Sequence, residues 1–174
     1  YRPDANWAIS AGKQVLMIGG WEYDRAPIDI YYCSEYWNNV NCFALGASVT
    51  YTTDKGNDSF TFQICQSPYD KMSNNYKIEE NKKIKLGDLY AYNLYYMGSH
   101  GCYTALHSVN FSAYAPDKYT AYVVLGNQFK SGDATLQLDI MNRGITAEEL
   151  LFKNYSIMAE FSYLFGERVN AFAK

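Results

Sequence analysis

The sequence predicts an all-β fold: about eight antiparallel strands in up-and-down order, closed into a barrel, with one C-terminal amphipathic helix packed outside. Three observations predict it. Period-two alternation runs on both sides of a glycine-containing turn in the first half of the chain. The chain carries 18 Tyr and 9 Phe, side chains that suit pleated, half-buried strands. Near residue 146 the alternation gives way to a helical period.

Residues 3–13, with Pro3, Asp4 and Gly12, predict one short helical turn around Trp7. Residues 14–24 read as the first strand, interrupted at Gly19 and Gly20, since glycine inside a strand marks a bend or a close backbone approach. Residues 28–41 predict a loop-rich crossing over one end of the sheet. Residues 42–53 alternate, with Phe43, Leu45, Ala47, Val49 and Tyr51 opposed to Ala44, Gly46, Ser48 and Thr50. The stretch Asp54-Lys55-Gly56-Asn57 has hairpin chemistry. Residues 59–66 alternate again, with Phe60, Phe62 and Ile64 opposed to Thr61, Gln63 and Cys65. A charged strand pair is predicted over 75–85, and residues 88–97 put Tyr90, Tyr92, Leu94 and Tyr96 on one face. Residues 101–112, 118–126 and 134–143 supply the remaining strands.

Thr146 and Glu149 then form a capping box, and Leu150, Ile157 and Phe161 recur at helical spacing. Closure of the strands would remove the exposed edges of an open sheet. A barrel of eight strands has an interior just wide enough for one small ligand.

A length of 174 residues fits one domain, 1–174. Hydrophobic residues at 48% and charged residues at 19% describe a folded chain. A net charge of −3 excludes the basic face that nucleic-acid binding needs. No apolar run is long enough for a transmembrane helix, so no membrane span is expected. Cys33, Cys42, Cys65 and Cys102 form no C-x-x-C pair; two disulfides are expected, with all three pairings open. Disulfides imply an oxidising compartment. Sequons at Asn57, Asn110 and Asn154 agree with a secreted glycoprotein, and the start at Tyr1 is read as a mature form.

Three stretches carry a family resemblance. Gly19-Gly20-Trp21 is similar to the G-x-W motif that opens the first strand of lipocalins, members of the calycin group. Asp117-Lys118-Tyr119-Thr120-Ala121-Tyr122 resembles that family's T-D-Y-x-x-Y stretch, with Pro116 in place of Thr and Lys118 inserted. Arg143 follows the last strand, as does the family Arg that packs across the first-strand Trp. The opening GKQVLMIGGWEYD is similar to tick salivary lipocalins, although their C-terminal cysteines are absent, so the chain resembles an invertebrate secreted lipocalin. The resemblance implies a ligand-transport barrel, with Gly19, Trp21 and Arg143 as structural residues at its closed end.

Parity proposes the walls of such a pocket: Phe43, Leu45, Val49, Tyr51, Phe60, Phe62, Tyr90, Tyr92, Tyr96, Tyr103 and Tyr122. Which strand face lines the cavity stays open, because both faces are partly apolar. A mainly hydrophobic ligand (lipid, eicosanoid or pigment) competes with a biogenic amine. An amine needs a buried carboxylate, for which Asp139 is the candidate, with Glu22, Asp24 and Glu35 near the barrel ends. Alternatively, loop residues Tyr36 and Trp37 between Cys33 and Cys42 would anchor a protein partner. His100 and His107 lack metal-ligand spacing; His107 alone could reach a haem, and no metal or cofactor is expected. No G-x-S-x-G, P-loop or G-x-G-x-x-G occurs, so no enzyme is expected.

Overall fold

The computed structural model describes residues 1, 3–24, 43–67, 89–115, 118–144, 149, 153–166 and 169–173. Nine strands form one sheet in chain order. They are β1 (Trp7–Val15), β2 (Phe43–Thr52), β3 (Asp58–Gln66), β4 (Tyr90–His100), β5 (Tyr103–Ala115), β6 (Lys118–Ser131), β7 (Ala134–Gly144), β8 (Tyr155–Phe165) and β9 (Val169–Ala173). Every neighbouring pair is antiparallel, as up-and-down order requires. β1 and β9 are the two edges of this sheet. One four-residue helix, α1 (Trp21–Asp24), is described.

The first strand lies earlier than the glycines suggested. Asp4 Oδ1 accepts the N–H groups of Asn6 and Trp7, at 2.8 and 3.0 Å. That turn launches β1 at Trp7, where a helical turn was expected. β1 then pairs with β2 from Trp7↔Tyr51 to Val15↔Phe43. Gly19 and Gly20 have φ of +80° and +84°, a left-handed conformation that ends extended pairing. The expected strand over 14–24 therefore stops at Val15, and Trp21 opens α1 instead of a strand.

The C-terminal helix is also corrected. Residues 155–165 form β8, paired with β7 from Ala134↔Tyr163 to Asn142↔Tyr155. Ile157 and Phe161 are four apart, a separation that fits a helix turn and two strand repeats equally well. Pairing with β7 decides between them. Of the expected helix, the Lys153 N–H bond to the Glu149 carbonyl is present, at 3.1 Å. Thr146 and the expected strand pair over 75–85 lie outside the described residues.

Four hairpin turns, β2–β3, β4–β5, β6–β7 and β8–β9, lie at one end of the sheet. Each contains a glycine in the left-handed region: Gly56, Gly101, Gly132 and Gly166. Such turns let consecutive strands reverse within a few residues. At the other end the chain is longer between β1 and β2 and between β3 and β4.

The sheet has two unlike faces. Along β3, Ser59, Thr61, Gln63 and Cys65 are buried, whereas Phe60, Phe62 and Ile64 are exposed. The buried face, here the inner face, carries the segment 16–22. Leu16 and Ile18 of that segment pack with Cys65, Ala91, Tyr122, Val124 and Met141, side chains from four different strands. The core therefore sits where one chain segment crosses the sheet.

Candidate functional site: an apolar outer face and a filled inner face

Cross-strand partners in an antiparallel pair share a face, so the register shows what the outer face presents. One row runs Ile9–Val49–Phe62–Leu94–Val109–Val123 across β1 to β6. Another runs Leu125–Ile140–Ile157 across β6 to β8. Leu94 is 56% exposed and Ile157 67%. Toward the end of the glycine turns the rows become aromatic: Trp7–Tyr51–Phe60–Tyr96, then Tyr103–Phe129. The rings of Trp7 and Tyr51 lie 4.9 Å apart, those of Phe60 and Tyr96 5.1 Å. Toward the other end stand Phe43, Tyr90, Tyr92, Phe111, Tyr119 and Tyr155. The outer face is thus an aliphatic band between two aromatic belts. Monomeric soluble proteins rarely expose contiguous apolar patches beyond a few hundred Å².

The inner face joins the apolar core to a hydrogen-bonded polar network. Gln63 and Asn93 are both 0% exposed. Gln63 Nε2 donates to the Val15 carbonyl at 2.9 Å and to Gln14 Oε1 at 3.3 Å. Gln63 Oε1 accepts from Asn93 Nδ2 at 2.7 Å and from the Met17 N–H at 3.1 Å. Asn110 Nδ2 donates to Asn93 Oδ1, and Ser112 Oγ to Asn110 Oδ1. An amide deprived of its partner in such a place costs the desolvation of that group, so the network holds together as a unit.

The segment 16–22 is tied to alternate strands. Ser108 Oγ on β5 donates to the Ile18 carbonyl, and the Gly20 N–H to the Leu106 carbonyl at 3.1 Å. On β7, the Asp139 carboxylate accepts the N–H groups of Trp21 (2.9 Å) and Glu22 (2.8 Å). Asp139 is fully buried.

The site residues expected from sequence divide by face. Tyr122 and Asp139 are buried on the inner face, Tyr122 in the core and Asp139 against the Trp21 and Glu22 backbone. Phe43, Leu45, Phe60, Phe62 and Tyr90 stand exposed on the outer face, and Val49, Tyr51, Tyr92, Tyr96 and Tyr103 share that face half-buried. The residues at the alternate positions, among them Ser48, Gln63, Asn93 and Asn110, lie on the face that carries the crossing segment. Arg143 stacks over the Tyr122 ring at 5.8 Å, not over Trp21, since Trp21 has left the strand. Cys65 (buried) and Cys102 (exposed) are free thiols, which corrects their expected disulfides. Cys33, Cys42, Glu35, Tyr36 and Trp37 lie outside the described residues.

Asn110, one of the three sequon asparagines, is buried with its amide engaged by Asn93. His107 is half-buried on the outer face, with its Nε2 3.3 Å from Asn127 Oδ1. Among the described residues no group of three or more His, Cys, Asp or Glu gathers at metal-binding distance. Sequence reasoning missed Gln14, Gln63, Asn93 and Asn110. Their signal was present: along β3 and β4, Ser59, Thr61, Gln63 and Asn93 alternate with Phe60, Phe62, Tyr92 and Leu94.

No family model, no curated protein and no solved structure matches the chain. Among the described residues no helix is long and apolar enough to cross a membrane, a statement that does not touch strands.

Proposed function

We propose that this chain is a membrane-embedded β-barrel of the outer-membrane type, with its apolar face against lipid and its polar face inward. The observation that carries this reading is the unbroken outer row from Ile9 to Val123, free of charge, with Ile9, Phe62 and Leu94 exposed and Val49, Val109 and Val123 half-buried. Membrane barrels alternate apolar-out and polar-in, with aromatic girdles at both interfaces. A spanning strand needs about 9–11 tilted residues. β1 to β8 have 9 to 14 residues each, whereas β9 has five. Short turns at one end, and longer connections between β1 and β2, β3 and β4, and β7 and β8 at the other, fit the same architecture, although β5 and β6 are joined closely there. In lipid an unpaired strand edge has no water to bond, so the edge strands must find partners and the sheet must close.

The lipocalin resemblance offers ligand carriage instead. That reading needs an apolar wall around an internal ligand, and the side chains suited to it stand on the opposite face. Carriage is therefore not the function we propose.

Vesicle flotation tests the membrane reading. The folded protein, purified in detergent and mixed into phosphatidylcholine vesicles, is expected to rise with the lipid through a density gradient and resist extraction at alkaline pH. A detergent-free, monomeric, soluble protein that stays at the bottom of the gradient would overturn it.

A further inference from the structure

The inner face invites a question that lipid contact does not answer. Gly46, Ser48, Thr61, Ser108 and Ser112 point inward, and small side chains leave space inside a barrel. The space is occupied by the chain's own backbone at 16–22.

We propose that residues 16–22 are an internal plug and that Asp139 is its latch, so that the seated plug seals a polar lumen against ions and small solutes. This rests on the membrane reading above. The plug's apolar hold is Leu16 and Ile18, packed with Cys65, Ala91, Tyr122, Val124 and Met141. Its remaining hold is polar, to Gln63 on β3, to Ser108 and Leu106 on β5, and to Asp139 on β7. Asp139 contributes two of these bonds from one carboxylate, at the far end of the segment. Each carboxyl oxygen takes one backbone N–H, so the two bonds fix the Trp21–Glu22 backbone at two points. Close backbone packing completes the seat: a Cβ on Gly20 would lie 3.1 Å from Val124 Cγ1 and 3.3 Å from Asp139 Oδ2. Without the plug, the polar side chains Gln63, Asn93, Asn110 and Ser112 would be uncovered beside the apolar Ala91, Val124 and Met141.

The test uses the whole chain in phosphatidylcholine vesicles loaded with carboxyfluorescein, after flotation has scored incorporation. Wild-type vesicles are expected to hold the dye. Vesicles with Asp139→Asn, which keeps the size but turns a donor toward a backbone N–H, are expected to lose it. Ser108→Ala removes a different tie and keeps the question open to test if the first variant does not fold. Hydrogen exchange on the wild type is a third readout, with the Gly20, Trp21 and Glu22 amides expected to be as slow as strand amides. Wild-type protein that floats but leaks, or plug amides that exchange freely, would overturn the plug. Folded variants that seal as tightly as wild type would overturn the latch. Failure of the wild type to float would instead remove the membrane reading, and the plug with it.

Discussion

Gly20 and Gly126 approach so closely that a Cβ on Gly126 would lie 2.8 Å from the Cα of Gly20. The same atom would meet the Leu106 carbonyl oxygen at 2.9 Å. Both obstacles are backbone, which cannot swing aside. Gly126→Ala is therefore expected to destabilise the folded protein by about 1–3 kcal/mol, the usual cost of overpacking. Urea unfolding in detergent micelles checks it. An unchanged midpoint would mean that the crossing segment does not rest on β6.

Leu94 and Asn93 are neighbours with opposite surroundings. Leu94→Arg on the outer face is expected to cost about 2–4 kcal/mol if the band faces the bilayer midplane. On a water-exposed surface the same change stays within about 0.5 kcal/mol. Comparing refolding of the variant into vesicles with its stability in micelles separates the two. Asn93→Leu is expected to destabilise the protein in either medium, since the buried groups of Gln63 and Asn110 lose their partner at about 1–3 kcal/mol each.

Arg143 and Tyr122 form a pair that a double-mutant cycle can measure. A coupling of about 0.5–2 kcal/mol is expected for an exposed guanidinium over a buried ring. The matching cycle between Arg143 and Trp21 is expected to give none. Coupling to Trp21 would restore the arrangement that the lipocalin resemblance implies.

Cys65 is buried, which pushes its thiol pKa up to about 11, whereas Cys102 is exposed. Native protein treated with a maleimide is expected to take label at exposed Cys102 at once and at buried Cys65 only after unfolding. Equal labelling of the two would place Cys65 at the surface.

The strands themselves were legible in the sequence. Period two over 42–53 and 59–66, with a turn between them, became β2 and β3 within a residue or two. The errors had physical causes. Trp7–Val15 carries Gly12 and Lys13, and weak alternation hid a strand whose hold comes from pairing with β2. Around Tyr155–Phe165, even spacings fit both periods, and local propensity could not choose. For the candidate site, parity grouped Phe43, Leu45, Phe60, Phe62 and Tyr90 on one face, and the register places them together, but Tyr122 and Asp139 lie on the other.

The sequence by itself determined that the chain is a β-meander with one aromatic-aliphatic face and one face of Ser, Thr, Asn and Gln. Alternation is a local property, written in neighbouring residues. Which face turns inward is not local: it depends on what the crossing segment covers and on what surrounds the sheet. Only the tertiary structure decided it, by laying residues 16–22 across Gln63, Ser108 and Asp139. Once those polar groups are satisfied by a chain segment, the polar face is closed to water, and the aromatic face remains as the surface.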